Sequence, residues 1–244
     1  MSPSVSRLRM FAGPNGSGKT TIKNGLQKSA SWFGIYINPD ELEKSIRETG
    51  RFSLEPFGLT TTTEEIQSYF ANSSFLQQQH LHTASSLIEC TGGELNFSQL
   101  SMNSYYASVL SDFLRRKALE ISKSFSFETV MSSPDKIELL EEAQGRGYRT
   151  YLYFIATEDP FINLGRVRNR VAEGGHDVPE EKVVARYRRT LDLLPRAIRA
   201  SNRAYFFDTT TEESWHFAEI TEGKSVELKS NEIPEWFKPI WEQF

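Results

Sequence analysis

The chain has 244 residues, 38% of them hydrophobic and 12% aromatic, enough to bury the core of one α/β domain. Its 28 basic and 32 acidic residues leave a net charge of −4, which excludes a global positive field of the kind that gathers nucleic acid or acidic lipid. The lone cysteine, Cys90, has no partner for an internal disulfide, and four scattered histidines give no zinc-ligand spacing.

In chain order, Arg7 to Ala12 reads as a short strand that breaks into Gly13-Pro14-Asn15-Gly16-Ser17-Gly18, with a helix starting near Lys19. A second strand, Gly34 to Asn38, runs into Pro39-Asp40, and a third, Ser124 to Val130, carries Phe127-Glu128-Thr129 near its end. Arg149 to Ala156 is nearly unbroken in β-formers, as a central strand buried on both faces should be. Asp159-Pro160 opens a helix to about Glu173, where Gly174-Gly175 stops it. The loop His176-Asp177-Val178 leads to a helix from Pro179 to about Leu193, and a strand follows at Ala204 to Asp208.

Between Thr49 and Ser122 the pattern turns polar and helical, in Thr63 to Asn72, Ser74 to Cys90 and Gln99 to Ile121. These segments read as a helical insertion at 50–121 within a single domain, 1–244. The tail offers a hairpin or lone strand around Gly223, then a helix from Pro234 whose Trp236, Phe237 and Trp241 have core spacing. Strands alternating with helices predict a three-layer P-loop NTPase fold: a mainly parallel five-stranded central sheet, helices on both faces, and the insertion.

Gly13-Pro14-Asn15-Gly16-Ser17-Gly18-Lys19-Thr20 matches G-x-x-x-x-G-K-[ST] at each fixed position, between a strand and a helix. Residues Gly13 to Thr21 are therefore expected to hold ATP: main-chain amides around the β-phosphate, Lys19 bridging β- and γ-phosphates, and the Thr20 hydroxyl on Mg²⁺. Asp40, at a strand's carboxyl end, suits a general base for an acceptor hydroxyl, or else an N-cap. Glu128 could orient a Mg²⁺-bound water or the acceptor, with Thr129 beside it, or be a solvated strand end. Developing charge needs cations, and of Arg166, Arg168, Arg170, Arg186, Arg188 and Arg189 one or two are expected to reach phosphate. The others would pair with Glu173, Glu180 and Glu181. His176 is either a substrate contact or an exposed loop residue, and His80 and His82, at i and i+2, do not share a helix face.

These residues, with Asn38-Pro39-Asp40, Phe125-Ser126-Phe127-Glu128-Thr129, Gly147-Tyr148, Arg166-Val167-Arg168-Asn169-Arg170-Val171, Gly174-Gly175-His176-Asp177-Val178-Pro179 and Ala204-Tyr205-Phe206-Phe207-Asp208, resemble the zeta toxin family of P-loop kinases, in its predicted-ATPase branch. The resemblance covers about 200 residues, the segment between Gly50 and Ser122 lying outside it. It implies ATP-dependent phosphorylation of a nucleotide sugar, UDP-N-acetylglucosamine at its 3′ hydroxyl, by Lys19 with Asp40 as base and Thr129 on the acceptor. It also implies a phosphate-binding arginine at Arg166 or Arg170, and a small helical antitoxin as partner. His176 stands where the family has a second lid arginine, and Phe-Glu-Thr where members have Glu-Gly-Thr. Related plant-pathogen effectors phosphorylate nicotinamide dinucleotides, so the fold by itself leaves the acceptor open.

The leading expectation is thus a small-molecule kinase. The alternatives are a partner-regulated ATPase switch, which would tolerate loss of Asp40, and a polynucleotide-end kinase, which would need a basic groove that the −4 charge disfavours. No stretch approaches the roughly 20 apolar residues of a membrane helix, and no apolar leader precedes the glycine-rich loop, so the reading is cytoplasmic.

Overall fold

A computed structural model describes residues 5–26, 32–174 and 178–244. In chain order the elements are β1 (Arg7–Ala12), α1 (Lys19–Leu26), β2 (Ile35–Ile37), α2 (Pro39–Thr49), β3 (Arg51–Ser53), α3 (Thr63–Ala71), α4 (Ser74–Gln78), β4 (Glu89–Thr91) and β5 (Glu94–Asn96). They continue with α5 (Ser104–Glu120), β6 (Phe125–Thr129), α6 (Asp135–Gly145), β7 (Arg149–Ala156), α7 (Pro160–Ala172), α8 (Glu180–Arg199), β8 (Arg203–Asp208), β9 (Trp215–Thr221), β10 (Ser225–Leu228) and α9 (Lys238–Trp241). Two compact units result, one of residues 1–34 and 126–244, the other of residues 35–125.

The first unit is built on a sheet in the order β10-β9-β8-β7-β1-β6. Strands β1 and β7 pair in parallel from Arg7↔Arg149 to Ala12↔Phe154, and β7 pairs in parallel with β8 from Tyr151↔Arg203 to Ala156↔Asp208. The expected fold class holds, with a difference at one edge. The tail hairpin adds β9 antiparallel to β8 and β10 antiparallel to β9, so the sheet runs past the five parallel strands expected. Alternation explains why both faces are covered: Leu8, Met10 and Ala12 fill one face while Phe11 packs into a cluster with Ile22, Phe33, Tyr153, Ile155 and Phe207 on the other. Phe11 stacks on Tyr153 with centroids 4.7 Å apart.

Helices α7 and α8 pack through Leu164, Val167, Val178 and Val183. α8 runs to Arg199, well beyond the expected end near Leu193, and passes through Pro195. Leu194, Ala197 and Ile198 are fully buried, so packing carries the helix across the hydrogen bond that proline cannot donate. The tail supplies Trp236 and Phe237 to the core: Phe237 lies 4.6 Å from Phe206 and 5.1 Å from Phe217 by ring centroid.

The second unit is less helical than its sequence suggests. α3 and α5 follow expectation, each capped by a side chain, Thr62 onto Glu65 N and Asn103 onto Tyr105 N and Tyr106 N. Ser74 to Cys90 is not one helix. α4 stops at Gln78, His80 takes a positive φ of 57°, and a 3₁₀ turn leads into β4. Strands β3, β5 and β4 form a small antiparallel sheet, in that order, within a segment expected to be a helical insertion. Phe70 and Phe97 are fully buried among its neighbours.

Candidate functional site

The phosphate loop follows from three glycines. Gly13, Gly16 and Gly18 have φ of 153°, 75° and 79°. A Cβ at Gly13 would sit 1.9 Å from the Ile155 carbonyl oxygen, because the chain leaves β1 directly across β7. A Cβ at Gly16 would sit 2.6 Å from the Asn163 carbonyl oxygen, whereas at Gly18 the nearest atom is a Thr209 methyl at 3.9 Å. The loop is therefore closed beneath and open at the helix end. Gly13 N donates to Thr129 O at 3.3 Å and Ser17 N to Pro14 O at 3.3 Å, fixing the turn against β6.

Lys19 folds back over this loop, its Nζ donating to the carbonyls of Gly13 and Pro14, each at 2.9 Å. The Thr20 hydroxyl, at the first turn of α1, donates to Glu128 Oε2 at 2.9 Å. Glu128 is 8% exposed, so it is no solvated strand end. The buried oxygens Asn15 Oδ1 and Ser17 Oγ have no hydrogen-bond partner among the described residues. Open amides, a cation and unpartnered polar atoms at a helix N-terminus fit a phosphate chain, and the Thr20 hydroxyl beside a carboxylate fits the oxygen preference of Mg²⁺. Gly13 to Thr20, with Thr21 exposed behind them, would hold the nucleotide; Thr20 would hold the metal.

Thr129 ends β6, and its hydroxyl accepts from Met131 N at 3.1 Å. Met131 is buried in the left-handed region, φ 56°, a strained geometry for a methionine at a strand end. Thr190 of α8 steadies this turn by donating to Val130 O at 2.8 Å.

The arginines divide. Arg166 lies along the loop that follows β8, donating to Thr209 O at 2.6 Å and to Thr209 Oγ1 at 3.4 Å. Thr209 in turn donates to Ser17 O at 2.9 Å, so Arg166 is one residue removed from the phosphate loop. Arg168 instead pairs with Glu180 at 2.5 Å, on the exposed side. Arg170 and Arg186 are half-buried, while Arg188 and Arg189 are exposed. His176 lies outside the described residues.

In the second unit, Asp40 is exposed at the first turn of α2. Asn38 is the N-cap, its side chain accepting from Asp40 N at 3.0 Å. The capping alternative for Asp40 is thus overturned, and its carboxylate sits at the positive end of the helix dipole.

Two residues at the site escaped the sequence reading. Asn163 is fully buried and donates to Asn15 O at 2.6 Å. Thr209 bridges Arg166 to the loop; its position directly after a strand-ending aspartate was the available signal.

No protein-family model matches the chain. An uncharacterized protein of Haemophilus influenzae is 33% identical over 63 residues, 26% of this chain and 45% of that protein. The crystal structure of the AvrRxo1-ORF1:AvrRxo1-ORF2 complex with sulphate ions is similar at a TM-score of 0.53 and 14% identity, over 98% of this chain and 63% of that chain. The same complex with ATP gives the same values, a TM-score of 0.53 and 14% identity. The PezAT toxin-antitoxin system of Streptococcus pneumoniae gives 0.47 and 15%, over 96% of this chain and 76% of that one. The chain spans less than two thirds of the AvrRxo1 chain it matches, 63% of it, and at these identities the likeness is one of fold. The chain thus shares its fold with the AvrRxo1 chain, a mainly parallel sheet whose first strand runs through a glycine-rich phosphate loop into a helix.

Proposed function

We propose that the chain is an ATP-dependent small-molecule kinase of zeta-toxin type, working as a single P-loop kinase domain, 1–244, with 50–121 as its insertion. The observation that carries this reading is the phosphate loop itself: Lys19 over the carbonyls of Gly13 and Pro14, with Thr20 on Glu128. That a structure of the same fold was crystallised with ATP supports the choice of nucleotide.

Bound Mg²⁺·ATP would supply the transferable γ-phosphoryl group and neutralise part of its charge. Around it, the amides of the loop bind phosphate oxygens, and Lys19 exchanges its carbonyl partners for β- and γ-oxygens. The Thr20 hydroxyl, its proton engaged by Glu128, would hold the Mg²⁺ ion. Arg166 and Arg170 offset the charge that develops on the transferring group, and Thr129, Glu128 and His176 hold the acceptor. Asp40 accepts the acceptor's hydroxyl proton as the new P–O bond forms and the β–γ bridge breaks. The acceptor is a hydroxyl on a nucleotide-linked small molecule, UDP-N-acetylglucosamine first among them. The reading is completed by a cytoplasmic location, with an antitoxin protein as partner and nucleic acid as none. Among the described residues no helix is long and apolar enough to cross a membrane.

The test incubates the chain with γ-labelled ATP, Mg²⁺ and a panel of nucleotide sugars and dinucleotides, beside Lys19→Ala and Asp40→Asn. Label is expected on a UDP-amino sugar and in neither variant. Free phosphate alone, released as fast by Asp40→Asn as by the parent chain, would replace the kinase with an ATPase switch.

A further inference from the structure

Asn163 takes no part in the transfer chemistry above, yet it is 0% exposed in the first turn of α7. A buried amide is costly unless its polar atoms are engaged, and those of Asn163 are. Nδ2 donates to Asn15 O at 2.6 Å, and Oδ1 accepts from the Thr157 hydroxyl, which has Asp159 O as a second acceptor at 3.2 Å. Thr157 is held in its turn: its carbonyl accepts from the Tyr187 hydroxyl of α8 at 2.6 Å. Burial pushes the Tyr187 phenol upward, and Glu158, Asp159 and Asp208 push the same way, so this donor stays protonated. The Asn15 carbonyl can only accept, which sets the direction of the amide.

One turn along the same face, Arg166 reaches Thr209 O at 2.6 Å, and the Thr209 hydroxyl reaches Ser17 O at 2.9 Å. One helix face therefore bears on the carbonyls on both sides of Gly16, on Asn15 O directly through Asn163 and on Ser17 O through Arg166 and Thr209. Its backbone also abuts the loop, since a Cβ at Gly16 would meet Asn163 O at 2.6 Å.

In a planar trans peptide the carbonyl and the following amide point in opposite directions. Holding the Asn15 carbonyl outward therefore holds the Gly16 amide inward, toward a bound phosphate. We propose that Asn163 is a positioning residue of the phosphate loop, holding the 15–16 peptide in its anion-binding orientation and tying the cradle to the helix that bears Arg166 and Arg170. Its effect on turnover rests on the kinase reading; its effect on anion binding rests on the loop alone.

The full chain is titrated by calorimetry with inorganic tripolyphosphate, which touches only the cradle, and with adenosine, which does not reach it. Asn163→Asp keeps the shape and loses the donor; Asn163→Ser loses both contacts. Each is expected to weaken tripolyphosphate binding about tenfold, leave adenosine binding unchanged, and raise KM for ATP without raising KM for the acceptor. Thr157→Val, which frees the amide to turn, is expected to give a smaller loss that does not add to that of Asn163→Asp. Folded variants that bind tripolyphosphate as the parent does, even with a lower melting temperature, overturn the positioning role. Failure of the parent chain to bind tripolyphosphate, or undiminished binding by Lys19→Ala, overturns the nucleotide reading of the loop instead.

Discussion

At residue 13 a single oxygen decides the amino acid. The Ile155 carbonyl lies 1.9 Å from where a Cβ would be, and φ is 153°, so Gly13→Ala is expected to cost more than about 3 kcal/mol in urea titration. Gly165 provides the contrast. It sits exposed inside α7 with nothing within 4 Å of a built Cβ, and Gly165→Ala is expected to stabilise by about 1 kcal/mol in the same titration. The motif marks Gly13 in the sequence, but the steric reason for it, the passage of β1 past β7, is visible only in the structure. The phosphate loop itself was legible because its chemistry needs a fixed spacing of glycine, lysine and threonine in one continuous segment. Asn163 and Thr209 were not: each meets the loop from more than a hundred residues away, and a lone polar residue carries no period.

At the scale of elements, β7 matched its expected limits because its nearly unbroken run of β-forming residues is buried almost throughout and leaves no other solution. The three-residue strands β3, β4 and β5 were missed, since three residues are too few to display alternation. The tail gives the clearest element-level prediction. The Trp236 indole donates to Asp208 Oδ2 at 2.8 Å while Glu158 accepts from the amides of Glu235 and Trp236 at 2.8 and 3.2 Å. Trp236→Phe would leave a buried carboxylate oxygen without its donor, at an expected cost of about 1–3 kcal/mol in chemical denaturation. An unchanged midpoint would mean that the tail is not anchored through Asp208.

For the whole molecule, every residue of the phosphate loop and its support falls in the first unit, while Asp40 falls in the second. Nucleotide binding and transfer should therefore separate by mutation. Asp40→Asn is expected to keep the full ATP-induced rise in melting temperature, about 2.7 kcal/mol of stabilisation at a hundredfold excess over Kd, while transferring no phosphate. Lys19→Ala is expected to lose that rise. A loss of the thermal shift in Asp40→Asn would make Asp40 a nucleotide ligand and leave the general base to be found elsewhere.

The sequence by itself determined the α/β class, the loop from Gly13 to Thr20 and the helix that follows it, because these depend on short-range spacing and on runs of buried β-formers. Tertiary structure alone decided that α8 continues through Pro195, that Asn38 caps α2 ahead of Asp40, and that Asn163 and Arg166 flank the phosphate loop. Those outcomes turn on burial and on hydrogen bonds between distant segments, and such contacts have no local signature: they exist only once the strands have set where each chain segment passes.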